Sequence, residues 1–128
     1  FTGYLDPDFK EWGANQPSGP TKREKVVVYE MRRDARFAEM FASLSPDLDK
    51  LCLTQSQIIR FCIEHSAKLH KEGYATFFLF KVKTEKGSEY FVAHVFVVMQ
   101  RLEAHVYRFG YSNVWYAFNH SRVVAPQL

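Results

Sequence analysis

The fold is decided by residues 88–109, SEYFVAHVFVVMQRLEAHVYRF. Apolar side chains occupy alternate positions of this stretch, and the positions between them are largely aromatic or polar. A period of two is typical of a β-strand with one face on a core, so the stretch predicts two consecutive strands joined by a short link. The core set is Phe91, Ala93, Val95, Val97, Met99, Leu102, Ala104 and Val106, and the other set is Tyr90, Val92, His94, Phe96, Val98, Glu103, His105 and Tyr107.

Two histidines, His94 and His105, occupy matching positions of the second set. A two-residue turn at Gln100 and Arg101 would place Phe96 opposite His105, with the two imidazoles diagonal to each other on one sheet face. The link contains no Gly, Asn or Asp to supply the positive φ angles of a tight hairpin turn. The predicted register therefore depends on an unusual connection.

The helix with the clearest ends precedes these strands. Thr54 and Gln57 form a capping-box pattern, and Gly73 supplies a residue suited to a helix stop. We therefore expect a helix from Thr54 to Gly73, packed against the core set of the two strands. Its apolar stripe comprises Ile58, Ile59, Phe61, Cys62, Ile63 and Leu69.

Two shorter helical segments are predicted nearer the start of the chain. Asp34 can cap the first of them. Pro46 suits the first position of the second, which ends near Leu51. The apolar residues of the first segment recur at the three-and-four spacing of one helix face, and they are Phe37, Met40, Phe41 and Leu44.

The remaining strands follow from runs of β-branched and aromatic residues. These runs are Val26–Tyr29, Ala75–Lys83, Val114–Phe118 and Arg122–Ala125. The predicted order of elements is typical of an α+β protein, since one strand is followed by helices and then by neighbouring strands. We predict an irregular N-terminal arm over residues 1–25 and a single α+β domain over residues 26–128, with a mainly antiparallel meander sheet and two or three helices packed on one face.

Composition narrows the class of protein. The 128 residues are 47% hydrophobic and carry a formal net charge of +3, which suits one globular domain and is too small to indicate nucleic-acid binding. No apolar run approaches the length of a membrane-spanning helix, and no secretory signal is recognisable, so a cytoplasmic protein without a membrane partner is expected. Cys52 and Cys62 lack CxxC spacing, which favours buried reduced thiols.

The second set of the two strands is the candidate ligand or partner surface. Its chemistry-bearing residues are Tyr90, His94, Phe96, Glu103, His105 and Tyr107. Two neutral imidazoles can bind a metal or exchange protons, but a metal site needs a third ligand, for which Glu103 and His120 are candidates without a supporting pattern. Nucleophile elbows and phosphate-binding loops are absent, so no catalytic residue, metal or cofactor is predicted.

Three functions compete. The first is a non-enzymatic binding or protein-interaction domain using the aromatic sheet face, with an unknown protein partner or self-association as a dimer. The second is a small metal-dependent hydrolase centred on His94 and His105. The third is single-stranded nucleic-acid binding, with bases stacked on the aromatic face and Arg101 and Arg108 near the phosphates. The absence of catalytic motifs favours the first.

The segments LTQSQIIRFCIEH, EGYATFFLFK and VYRFGYSNVWYAFNHSRVV together resemble a group of small bacterial proteins of unknown function. The resemblance covers residues 26–127. It implies a bacterial, single-domain protein and brings no activity, ligand or catalytic residue with it.

Overall fold

A computed structural model describes residues 25–65, 69, 75–98, 101–117 and 121–128. Five strands, two α-helices and one 3₁₀-helix lie in this part of the chain. In chain order they are β1 (Val26–Glu30), α1 (Phe37–Ala42), the 3₁₀-helix (Leu48–Leu51), α2 (Gln55–Glu64), β2 (Ala75–Thr84), β3 (Gly87–Val98), β4 (Arg101–Arg108) and β5 (Arg122–Pro126).

The strands form one sheet in the order β1-β5-β2-β3-β4. Strands β2, β3 and β4 are the predicted antiparallel meander. The last strand, β5, lies between β1 and β2, antiparallel to the first and parallel to the second. The predicted α+β class and the mainly antiparallel sheet are confirmed, with β2 and β5 as the one parallel pair among the named strands.

Both faces of the sheet are covered. Helix α2 packs on one face and α1 on the other, whereas the sequence predicted helices on one face only. The chain changes face beside the sheet, where Leu51 belongs to the α1 side and Leu53 to the α2 side. The Leu53 N–H donates to the Leu79 carbonyl at 2.9 Å, so this crossing is tied to β2. Burial on both faces explains the continuous apolar run of β2.

The predicted packing of α2 is confirmed. Its residues Ile58 and Cys62 are buried in one cluster with the core set of β3 and β4, and Ile59 packs at the edge of that cluster. The buried strand residues of the cluster are Phe78, Phe80, Phe91, Ala93, Val95, Ala104, Val106 and Val124. The alternation in residues 88–109 therefore identified the correct core face.

Helix α2 begins as predicted and ends earlier than predicted. The Gln57 N–H donates to the Thr54 hydroxyl at 3.1 Å, and the Thr54 N–H donates to the Gln57 side-chain oxygen at 2.8 Å, which completes the capping box. The helix stops at Glu64, because His65 has φ −122° and ψ 35°, outside the helical region. Gly73, the expected stop, lies outside the described residues.

Two further expectations are wrong in detail. Asp34 does not cap α1, since its carboxylate accepts the Ala117 N–H at 2.9 Å. Residues 114–117 do not form a strand of the sheet, and Trp115 makes only an isolated antiparallel bridge with Ala35. Phe118 and residues 1–24 of the predicted arm lie outside the described residues. Within the described part of the chain, no helix is both long and apolar enough to cross a membrane.

Candidate functional site

The predicted surface residues of β3 and β4 share one sheet face, the face covered by α1. His94 pairs directly with His105, and Phe96 pairs with Glu103. The predicted diagonal arrangement is wrong, because the strands are joined at residues 99–100 and Val98 pairs with Arg101. This change shifts the pairing by two positions. An even shift leaves every side chain on its predicted face, which is why the candidate surface survives the error.

His94 lies at the centre of an aromatic cluster. Its imidazole is stacked on the Phe77 ring at 5.1 Å between centroids, and the Trp115 ring lies edge-on at 5.0 Å. Phe96 and Tyr107 approach the same imidazole at 4.9 and 5.8 Å. Phe37 of α1 closes the cluster from above, with its ring 5.4 Å from both Phe77 and Trp115. His94 is therefore held by rings from four separate segments.

The surroundings of His94 disfavour its charged form. Burial lowers the pKa of this imidazole to about 4, and the charge of His105 contributes to the same shift. Its Nδ1 atom is buried without a hydrogen-bond partner in the described part of the chain. The ring is consequently neutral near pH 7 and donates no proton as an imidazolium there.

The outer part of the face is half-buried and more polar. Phe96 and His105 are stacked in parallel, with centroids 5.3 Å apart and an angle of 9° between their planes. The Glu103 carboxylate lies 4.0 Å from His105 Nε2, and both side chains expose about a third of their surface, 33% and 31%. This arrangement offers an aromatic surface with one carboxylate beside one imidazole.

A connection after β4 extends this surface. We name residues 109–117 the strap, because they cross the aromatic cluster after leaving the sheet. Tyr111 of the strap is stacked on Tyr107, with centroids 5.0 Å apart and planes 7° apart, and 45% of it remains exposed. Trp115 lies over Tyr107 and His94 at 5.7 and 5.0 Å. These two strap residues complete the site.

Four aromatic residues of the site were absent from the predicted surface. They are Phe37, Phe77, Tyr111 and Trp115. Phe77 could have been found by extending the alternation of the hairpin to the FFLF run of β2. The contributions of Phe37, Tyr111 and Trp115 depend on how α1 and the strap fold back over the sheet, which has no local sequence signal.

Tyr90 is on the same face but belongs to a separate group. Its hydroxyl donates to the Asp49 carboxylate at 2.6 Å, and this carboxylate also accepts from Lys81 Nζ at 3.3 Å. The hydrogen bond to Asp49 raises the pKa of Tyr90 to about 12 and, from the other side, lowers the pKa of Asp49. These contacts join the 3₁₀-helix to β2 and β3. The hydroxyl of Tyr90 therefore has a structural role and is not part of the ring cluster around His94.

The described residues offer little for covalent or metal chemistry. They contain no group of three His, Cys, Asp or Glu side chains placed to hold a metal ion, and His120 is not among them. Burial raises the pKa of both thiols, Cys52 and Cys62, to about 12. Both cysteines are free and protonated at neutral pH, which leaves them without a reactive thiolate.

The cations predicted for nucleic-acid binding are not all beside the aromatic face. Arg108 lies over the Phe91 ring, with its guanidinium carbon 5.7 Å from the ring centroid, and donates to Glu89 at 3.1 Å. Phe91 belongs to the core on the α2 side. Arg108 therefore points away from the rings on which bases were expected to stack.

A second concave feature lies between β1 and α1. This groove has a volume of about 460 Å³, a floor that includes Met31, Met40 and Val123, and a rim that includes Arg32 and Glu39. The rim carries both signs of charge. The sequence indicated no such groove, because it depends on how α1 sits against the first strand.

Comparisons with known proteins add no relative. No protein-family model, no curated protein and no solved structure matches the chain.

Proposed function

We propose that this protein is a non-enzymatic binding or protein-interaction domain. Its contact surface is the aromatic patch, which we define as Phe96, Glu103, His105, Tyr107 and Tyr111. The observation that carries the proposal is the pair of parallel ring stacks, Phe96 on His105 and Tyr107 on Tyr111, on a part of the sheet that α1 and Trp115 leave half open.

The composition of the patch supports a protein partner. Tyrosine, phenylalanine and other rigid aromatic side chains are enriched at the centres of protein interfaces, because they bury a large area at a small cost in conformational entropy. Phe96 and Tyr107 are also fixed by contacts with His94 underneath them. A preordered surface of this kind loses little freedom on binding.

The surroundings of the patch favour binding over catalysis. His94 is neutral and enclosed by aromatic rings. The Glu103 carboxylate lies 4.0 Å from His105 Nε2. A hydrolase would need further ligands or a nucleophile close to these imidazoles. The described residues that surround His94 are instead aromatic side chains and the His105 imidazole.

The experiment is affinity capture of cellular proteins with three forms of the chain, read by quantitative mass spectrometry. The patch variant is Phe96→Ser with Tyr111→Ser. The control variant is Ile63→Ser, which changes a residue that is 58% exposed on helix α2, on the other face of the sheet. Static light scattering of the purified proteins measures self-association in parallel.

We expect one or a few proteins, or a second copy of the chain, to bind the wild type and the Ile63→Ser variant equally. The patch variant should lose at least about tenfold in affinity, since about 1.4 kcal/mol corresponds to a factor of ten and two aromatic anchors are removed. Far-UV circular dichroism establishes that all three forms are folded. Equal binding by the folded patch variant would contradict the proposal.

A further inference from the structure

The strap is held at its two ends, and between them the Tyr111 ring is stacked on Tyr107. At its start the Phe109 N–H donates to the Tyr90 carbonyl at 3.1 Å. Near its end Trp115 exchanges two backbone hydrogen bonds with Ala35, of 2.9 and 3.0 Å, and the Ala117 N–H donates to Asp34 at 2.9 Å. These last bonds join the strap to a loop, so they can open without breaking a pair of sheet strands.

His94 lies directly beneath the part of the strap that these bonds hold in place. The Trp115 ring covers it at 5.0 Å, and two buried nitrogen atoms, His94 Nδ1 and Trp115 Nε1, have no hydrogen-bond partner in the described residues. A buried polar atom without a partner is costly, and a buried charge without one is costlier still. A proton on His94 would therefore act against the closed position of Trp115.

Among the described residues, no negative charge faces His94 to offset such a proton. The groups that face it are Phe77 of β2, Phe96 of β3, His105 and Tyr107 of β4, and Trp115 of the strap. Of these, only His105 can carry a positive charge. The Glu103 carboxylate lies next to His105, and Asp34 lies at the far anchor of the strap.

We propose that the strap is an acid-operated cover of the aromatic face: protonation of His94 favours a state in which Trp115 and its two bonds to Ala35 are released while the sheet stays intact. The release admits water to His94 and uncovers Phe77 and the inner side of Tyr107. This device goes beyond the proposed function, because it concerns the chain alone and operates without a partner.

The effect of pH on opening follows from the protonation of His94 in the closed state and in the open state. In the closed state burial holds the pKa of His94 at about 4, whereas an imidazole in water has its ordinary value of about 6.5. The open state therefore binds more protons between these two values, and acid favours opening. By this linkage the ratio of open to closed molecules at pH 5 is about thirtyfold that at pH 7.5.

Amide hydrogen exchange measures this ratio directly. The reporters are the Ala35 and Trp115 amides, which donate across the bridge between the strap and the loop. After correction for the intrinsic exchange rate, we expect their protection to fall by about thirtyfold from pH 7.5 to pH 5. Amides in the β2–β3 pairing should keep their protection. Carboxyl groups have ordinary pKa values of about 4, below this range.

The variants His94→Phe and His94→Gln remove the titrating group, the first with and the second without an aromatic ring. Either folded variant should keep Ala35 and Trp115 protected at pH 5, whereas a His65→Gln control should behave as the wild type. Three results would each overturn the proposal: constant protection in the wild type, an equal loss in the His94 variants, or a loss of sheet protection in step with that of the strap. Titration of His94 itself near pH 6.5 in the closed state, followed by NMR, would also overturn it.

Discussion

Two isoleucines of helix α2 show how the burial of a side chain determines its contribution to the free energy of unfolding. Ile58 is 1% exposed and belongs to the same buried cluster as Phe78 and Val95, whereas Ile63 is 58% exposed. We expect Ile58→Ala to lower the free energy of unfolding by about 2 to 5 kcal/mol, through lost burial and a cavity. Ile63→Ala should change it by less than about 0.5 kcal/mol. Urea unfolding of both variants checks this, and equal effects would contradict the assignment of the α2 core.

Gly87 is the residue whose backbone most restricts its identity. It opens β3 with φ of 110°, a conformation that side-chain-bearing residues rarely adopt. Although a Cβ would find open space there, Gly87→Ala should lower the free energy of unfolding by about 1 to 2 kcal/mol through backbone strain. Gly110→Ala, also in open space and without a positive φ, is the matched control. Thermal denaturation of the two variants that gave the same midpoint would rule out strain at the hairpin.

The sequence could predict the sheet face on which a residue lies, but not its pairing partner. The alternation in residues 88–109 placed His94, Phe96 and His105 on one face, because side-chain direction in a strand depends only on even or odd spacing. The direct pairing of His94 with His105 was not predictable, since the link between β3 and β4 lacks the turn residues that would identify its position.

Among the helices and strands, α2 has the start that is most clearly fixed by side-chain hydrogen bonds. Thr54 accepts the Gln57 N–H, whereas the Ser56 hydroxyl is buried without a hydrogen-bond partner in the described residues. Thr54→Ala should therefore lower the free energy of unfolding by about 1 kcal/mol. Ser56→Ala should leave it within about 0.5 kcal/mol or raise it slightly, because no hydrogen bond is lost. Chemical denaturation that ranked the two variants in the opposite order would contradict the capping box.

Other elements show where local patterns fail. The apolar spacing beyond Glu64 continues to Leu69, which is buried in the α2 core although it lies outside any helix. The aromatic run at Val114 has the composition of a strand, yet among its described residues, 114–117, only Trp115 forms a β-bridge. At Leu69 and Trp115, tertiary packing uses a large side chain although neither residue lies in a regular helix or strand.

For the whole molecule, the position of β5 was the decisive unknown. Chain order suggested that the last strand would follow its neighbours, but β5 lies between β1 and β2. Its buried residues Val123 and Val124 face opposite cores, so it completes both. This insertion brings α1 and the strap over the histidine face. It therefore half covers the sheet face that the sequence indicated as the candidate contact surface.

The aromatic patch is proposed to contact a partner in the cell. The test uses two variants of the protein, one with a photo-crosslinking amino acid at position 111 and the other with it at position 63. Both positions are exposed, and they lie on different elements. On irradiation of living cells, we predict a discrete crosslinked product, with a partner protein or a second copy, from position 111 and none from position 63. A product from position 63 alone, or no difference between the two, would contradict the claim.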